Sequence, residues 1–194
     1  MAIGLRFMNR KYAEMAMAMA RMNTLSIELE LRELVTRRGG RLLIPRRGGT
    51  RSKYTWNGKT LAPNVDTYED LAHDVAHLMI AAVRSKRELS AIEFGLGPDP
   101  ANMSSAKAIY KSGKCDRIEA DACDVNVCLC QLLGLSALHT SNYLNTPYPS
   151  MSIVRRLRKK YEKIFTKSQW RTLEVAARDD SWYRTKATAI RSYR

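Results

Sequence analysis

Apolar residues recur at helical spacing along most of this chain and at strand spacing over one short stretch. From Tyr68 to Ala82, Leu71, Val75, Leu78 and Ala82 follow a 3.6-residue period with no Gly or Pro between them, and Thr67-Tyr-Glu-Asp70 forms a capping box with Asp in place of Glu. A second strong helix is predicted from Asp116 to Leu133. Its apolar stripe is Ile118, Ala122, Val125, Leu129 and Leu132, with Asp116 as cap and Gly134 as terminator. Residues 9 to 22 read as an Ala/Met helix in which Met17, Met19 and Met22 fill gaps in the core. Between Leu25 and Arg38 the pattern is mixed: Leu25, Ile27, Leu29 and Leu31 alternate as in a strand. Straight-chain helix formers fill the segment, Asn23 and Thr24 can cap it and Gly39-Gly40 can close it, so it is predicted helical.

Arg41-Leu-Leu-Ile-Pro45 reads as a short strand and RRGGTR, residues 46 to 51, as a basic loop. Lys53 to Leu61 is the clearest β signal, with β-branched and aromatic residues flanking Asn57-Gly58, the dipeptide suited to a two-residue type I′ turn. A hairpin over 53–61 is therefore predicted, with Tyr54 and Trp56 in the core rather than on a nucleic-acid stacking surface. A turn-rich loop at 93–100 and a weak helix at 101–111 follow. Beyond Pro147 and Pro149, Ser150 caps a predicted helix from Ile153 to Phe165. Thr166-Lys-Ser-Gln169 is a capping box for the next helix, and a last one follows Asp179. Val154, Leu157, Tyr161, Ile164 and Phe165 form the core face, and the two capped helices permit a helix-turn-helix.

These elements predict a mainly α (α+β) fold, a compact helical domain over 1–150 with one small hairpin, and a basic helical extension over 151–194 packed on it. At 194 residues one such domain buries a sizeable core. The apolar run MAMAMA is too short to span a membrane.

Charge alters this picture. The formal net charge is +14, and it is unevenly spread. Residues 37–53 carry seven cations and no acid: Arg37, Arg38, Arg41, Arg46, Arg47, Arg51 and Lys53. Residues 151–194 carry thirteen cations against four acids, with Arg155, Arg156, Arg158, Lys159 and Lys160 in one run, whereas 66–124 is net −4. An acidic centre between basic arms points to an anionic macromolecular partner, nucleic acid or ribonucleoprotein, which the two arms would contact. Cys115, Cys123, Cys128 and Cys130 contain no C-x-x-C pair, so a zinc ribbon is not indicated. In the absence of a secretory signal, reduced thiols in a cytoplasm are expected.

The candidate chemistry lies in the acidic centre. His73 and His77 are two of only three histidines, and on a helix i and i+4 face one point. His73-Asp-Val-Ala-His77 is one methylene short of H-E-x-x-H, with Asp74 as shorter-reaching general base or as a group that orients a histidine. Glu119 on the Asp116–Leu133 helix can complete a His, His, Glu set for Fe(II) or Zn, with Asp121 and Asp124 as second choices. Equally, Asp116-x-x-Glu119 has capping-box spacing, so that carboxylate can serve a backbone N–H instead. Cys123 and Cys128 read as small buried apolar groups, and His139 has no assigned role.

Taken together, His73 to Ala81, the Arg84 to Glu88 cluster, Phe94-Gly95 and the later carboxylate helix resemble elongation factor P hydroxylase-like proteins, among them short phage proteins. The resemblance covers about residues 68–124. It implies a zincin-like helix with His73 and His77 as metal ligands, Glu119 as the third, and a host-cytoplasmic location if phage-encoded. Asp74 stands where that family has Glu, and Leu78 where it has an aromatic residue. Two functions follow: a non-haem iron hydroxylase or zinc hydrolase with a basic approach surface, or a basic nucleic-acid-binding protein whose histidines are structural or hold a structural metal.

Overall fold

The structure is a computed structural model and describes residues 22–44, 56–62, 65, 67–81, 96, 114–135 and 149–178. The expectations for residues 9–21, Arg46, Arg47, Arg51, Lys53, Tyr54, Arg84–Glu88, the 93–100 loop other than Leu96, the 101–111 helix, Cys115's side chain, His139 and residues after 178 lie outside them, while Met22, expected in the core, is exposed. The described chain is mostly helical, with one two-stranded sheet.

The first helix, α1, occupies 22–37. Its buried residues Leu31, Leu34 and Val35, with Ile27 partly buried, fall on one helical stripe, while Leu25 and Leu29 of the apparent alternation are exposed. Asn23 and Thr24 lie inside this helix and do not cap it. The end is as expected: Gly39 takes a left-handed φ of 75°, which lets Gly40 N–H reach the Val35 carbonyl at 3.0 Å. Gly40 is needed for closeness, because a Cβ there would stand 3.1 Å from both the Trp56 ring and Val35.

Strand β1, Arg41–Leu42, pairs in parallel with β2, Thr60–Leu61. Arg32 fixes its end by donating to the Leu42 carbonyl at 2.7 Å. The predicted Asn57-Gly58 turn is displaced by one residue. Asn57 N–H bonds the Thr60 carbonyl and Trp56 bridges Leu61, so Gly58 and Lys59 are the central pair. The cause is the Asn57 side chain, whose Oδ1 accepts from Lys59 N–H at 3.0 Å and Thr60 N–H at 2.8 Å, mimicking a backbone turn. Trp56 is buried, and its backbone N–H donates to the Leu96 carbonyl.

Helix α2, Tyr68–Ile80, starts as predicted: Thr67 Oγ1 accepts from Asp70 N–H at 3.1 Å and its hydroxyl donates to the Asp70 carboxylate at 2.7 Å. It ends at Ala81, whose N–H bonds the His77 carbonyl. Helix α3, Lys114–Leu133, begins two residues before the predicted Asp116 cap, which places Asp116 within the helix. Residues 121–130 are all buried, so α3 is a central helix covered on every side rather than a surface helix with one apolar stripe. Gly134, φ 68°, lets Leu135 N–H close on the Cys130 carbonyl at 2.8 Å.

Helix α4, Met151–Lys160, is capped by Ser150, whose hydroxyl accepts from Ile153 N–H. It stops five residues short of the predicted Phe165. Tyr161 leaves helical geometry, its hydroxyl reaching Asp121 on α3, and a 3-10 turn, Glu162–Ile164, drops Ile164 and Phe165 into the core. Helix α5, Lys167–Arg178, begins with the predicted capping box: Gln169 N–H to Thr166 Oγ1 at 3.2 Å, Thr166 N–H to Gln169 Oε1 at 2.9 Å. Trp170 is buried against Phe165 edge to face, with its indole N–H on the Glu162 carbonyl. One hydrophobic cluster takes in residues of the five helices and both strands of the described chain. No helix among the described residues is long and apolar enough to cross a membrane.

Candidate metal centre

The His73 and His77 rings stack one turn apart on α2, perpendicular to each other, with their Nε2 atoms 3.1 Å apart. Glu119, near the start of α3, completes the group: Oε1 is 3.0 Å from His73 Nε2 and Oε2 is 3.0 Å from His77 Nε2. Because α3 begins at Lys114, Glu119 lies in its second turn with both oxygens on imidazoles, so the capping role is not the one taken. His77 is buried, His73 is partly exposed, and Glu119 opens the group to solvent with 41% of its side chain exposed.

Every placement of protons on the two Nε2 atoms brings like poles together. With protons on both Nε2 atoms each ring donates to one Glu119 oxygen, but the two N–H groups then stand side by side with their nitrogens 3.1 Å apart; if one is deprotonated, its lone pair faces the carboxylate. A cation at the common point removes both conflicts. At metal–ligand distances of about 2.0–2.1 Å, tetrahedral ligand atoms lie roughly 3.3 Å apart. The observed 3.0, 3.0 and 3.1 Å are close to that spacing, and one donor atom from each residue fits within 4.8 Å of the others. His73, His77 and Glu119 could therefore hold a metal ion. The buried Nδ1 atoms of both rings have no hydrogen-bond partner among the described residues. Those residues thus do not supply the acceptor that commonly orients a ligating histidine through its second nitrogen.

The electrostatics follow the geometry. Hydrogen bonds from His73 and His77 hold the Glu119 carboxyl well below its ordinary range, against the opposing effect of burial. Burial works against a charged His73, but Glu119, Asp74 and Asp70 carry its pKa above the usual value. Asp74, beside His73, is pushed up to about 6 by burial although both imidazoles pull it down. One turn beyond Glu119, the Cys123 thiol lies 3.7 Å from Oε1, and burial and that carboxylate raise its pKa to about 12, so it stays protonated and faces Glu119 as a donor.

The alternative acidic ligands are committed elsewhere. Asp121 accepts from Arg156 at 3.0 Å, from the Tyr161 hydroxyl at 2.6 Å and from Lys160; Asp124 pairs with Arg156. Two of the cations assigned to nucleic acid, Arg156 and Lys160, thus neutralise buried acids on α3. Arg158 pairs with Glu174 and Arg37 with Glu33, while Arg38 donates to the Lys163 carbonyl at 3.3 Å. Arg41, Arg155 and Lys159 are exposed. The Asp121 cluster was missed because its members are about 35 to 40 positions apart. The one available signal was the excess of acid at 116–124 facing an excess of base after 151. The described chain thus defines a helical protein with a His/His/Glu group between two core helices. Comparison with protein-family models, with curated proteins and with solved structures finds no match.

Proposed function

We propose that the chain is a metal-dependent enzyme binding one Fe(II) or Zn at His73, His77 and Glu119, of the hydroxylase or hydrolase type. The convergence of three donor atoms from two helices carries this proposal. Two histidines and one carboxylate form the donor set both of zinc hydrolase sites and of non-haem iron oxygenase sites, and each leaves positions for water or substrate. When bound, the metal would supply Lewis acidity or oxygen activation. Asp74, adjacent to His73 in the sequence, is the carboxylate we assign to accept a proton beside the group. The resemblance of residues 68–124 to elongation factor P hydroxylase-like proteins favours the iron form and a translation-associated substrate, and a phage setting belongs to the same proposal.

Elemental analysis of protein without a His tag tests it. About one equivalent of Fe or Zn in the parent, absent from His77→Ala and Glu119→Ala, is expected. No metal after reconstitution under anaerobic and zinc-replete conditions would make the histidines structural.

The second function, a basic nucleic-acid- or ribonucleoprotein-binding protein, is favoured by a separate observation. After internal pairing, Arg38, Arg41, Arg155, Lys159 and Lys163 have no carboxylate at ion-pair distance among the described residues. Binding by such cations must fall steeply with added salt.

A further inference from the structure

The two basic segments meet at one place, where Arg38 reaches a carbonyl 125 positions further along the chain. The C-terminal end of α1 and the 3-10 turn after α4 enclose a cleft of about 290 Å³. Its lining has the buried apolar residues Leu34, Ile164 and Phe165 and the cationic residues Arg37, Arg38 and Lys163; among the described residues no acidic one lines it.

Arg38 is the informative member. Arg38 is partly buried, and its one hydrogen bond among the described residues is the 3.3 Å contact of its guanidinium with the Lys163 carbonyl. A cation taken partly out of water ordinarily has an anion against it, because desolvation is otherwise uncompensated. Among the described residues neither Arg38 nor Lys163 has a carboxylate within ion-pair distance. Arg37 is held by Glu33 one turn back, which steadies its side chain at the edge of the cleft. The Thr166 hydroxyl is already committed to capping α5, so attraction for an anion comes from the side-chain cations. A planar guanidinium fork matches a tetrahedral oxyanion with two parallel N–H···O bonds. The volume lies at the small end of ligand pockets, which suits one phosphate and the group attached to it.

We propose that this cleft is a phosphate site, in which Arg38, Lys163 and Arg37 hold a single phosphate group, supplied by a nucleic-acid backbone or by a free phosphate compound. The nucleic-acid source rests on the second function above. The site itself is independent of the metal centre.

The test compares the full-length Arg38→Gln/Lys163→Gln double variant with Lys59→Gln/Arg117→Gln, which removes the same charge from exposed positions outside the cleft and outside both basic segments. Fluorescence anisotropy with labelled single-stranded DNA and RNA over a salt series is the first arm. The cleft variant should lose about tenfold in affinity and lower the salt slope by roughly one per phosphate contact removed, the control about threefold or less. Phosphorus NMR line broadening of inorganic phosphate is the second arm. Broadening abolished by the cleft variant, without oligonucleotide binding by the parent, supports the site and assigns it a free phosphate. Equal losses in the two variants in both arms, or no binding of either probe by the parent at low salt, would overturn the proposal. Lys163→Gln alone, at an exposed residue, gives the same comparison if Arg38→Gln lowers the melting temperature. Metal content is measured in every variant and should match the parent, so that failure of this site is distinguishable from failure of the metal centre.

Discussion

Replacing Asp121 by Asn tests whether the C-terminal helices are tied to α3 by charge rather than by apolar contact alone. The Asp121 side chain is 4% exposed and accepts from Arg156, Lys160 and the Tyr161 hydroxyl. Removing one partner of a fully buried ion pair costs about 3–5 kcal/mol. Here the cations left behind are 49% and 52% exposed and can rehydrate. The loss should therefore fall to about 2–3 kcal/mol, mainly the charge-assisted hydrogen bonds. In a chain of this length, that is a drop of roughly 4–12 °C in melting temperature. Glu174→Gln, which breaks the more exposed pair with Arg158, is the control and should cost no more than about 1 kcal/mol. The sign of the pH dependence is fixed. Burial raises the Asp121 pKa, but hydrogen bonds from Lys160, Tyr161 and Arg156 outweigh it and lower the folded value. The stabilisation is therefore fully present above the unfolded carboxyl pKa, near about 4, and is lost as pH falls through the folded value. Urea titrations of parent and both variants at pH 7 and at acidic pH read this directly. A pH 7 difference for Asp121→Asn no larger than that for Glu174→Gln would refute the reasoning.

The two functional glycines should respond differently to Ala. Gly134→Ala should cost about 1–2 kcal/mol from its left-handed φ alone, since no atom lies within 4 Å of the added Cβ, and Gly134→Asn should recover part of it on thermal melting. Gly40→Ala should cost about 1–3 kcal/mol by displacing the Trp56 ring, with a change in tryptophan emission that Gly134→Ala lacks. Thr166→Ala removes the acceptor for Gln169 N–H and should destabilise α5 by about 1 kcal/mol in denaturant titrations. In a Cys115→Ser background, Cys123, Cys128 and Cys130, all buried with pKa values raised by burial, should react with a thiol reagent only after unfolding. Labelling under native conditions would show that α3 opens.

What the sequence determined by itself is local. The 3.6-residue period and the absence of Gly and Pro define α2, Thr67 and Asp70 begin it, and the i,i+4 spacing turns His73 and His77 toward one point before any tertiary contact exists. The same holds for Gly39 and Gly134 as helix ends and for the Thr166/Gln169 box, because each depends on hydrogen bonds within four or five residues. Tertiary structure decided everything that depends on which surfaces meet. Glu119 had two roles open in the sequence, cap or ligand, and only the apposition of α2 and α3 turned both its oxygens to the imidazoles. Asp121 and Asp124 were plausible ligands until α4 brought Arg156, Lys160 and Tyr161 against them, which also ended α4 at Lys160. The register of the β turn shifted because an Asn side chain satisfied two backbone donors, and β2 found its parallel partner in β1. Long-range pairing of charges leaves no periodicity in a sequence, because the energy that selects partners is the burial of α3, a property of the assembled core.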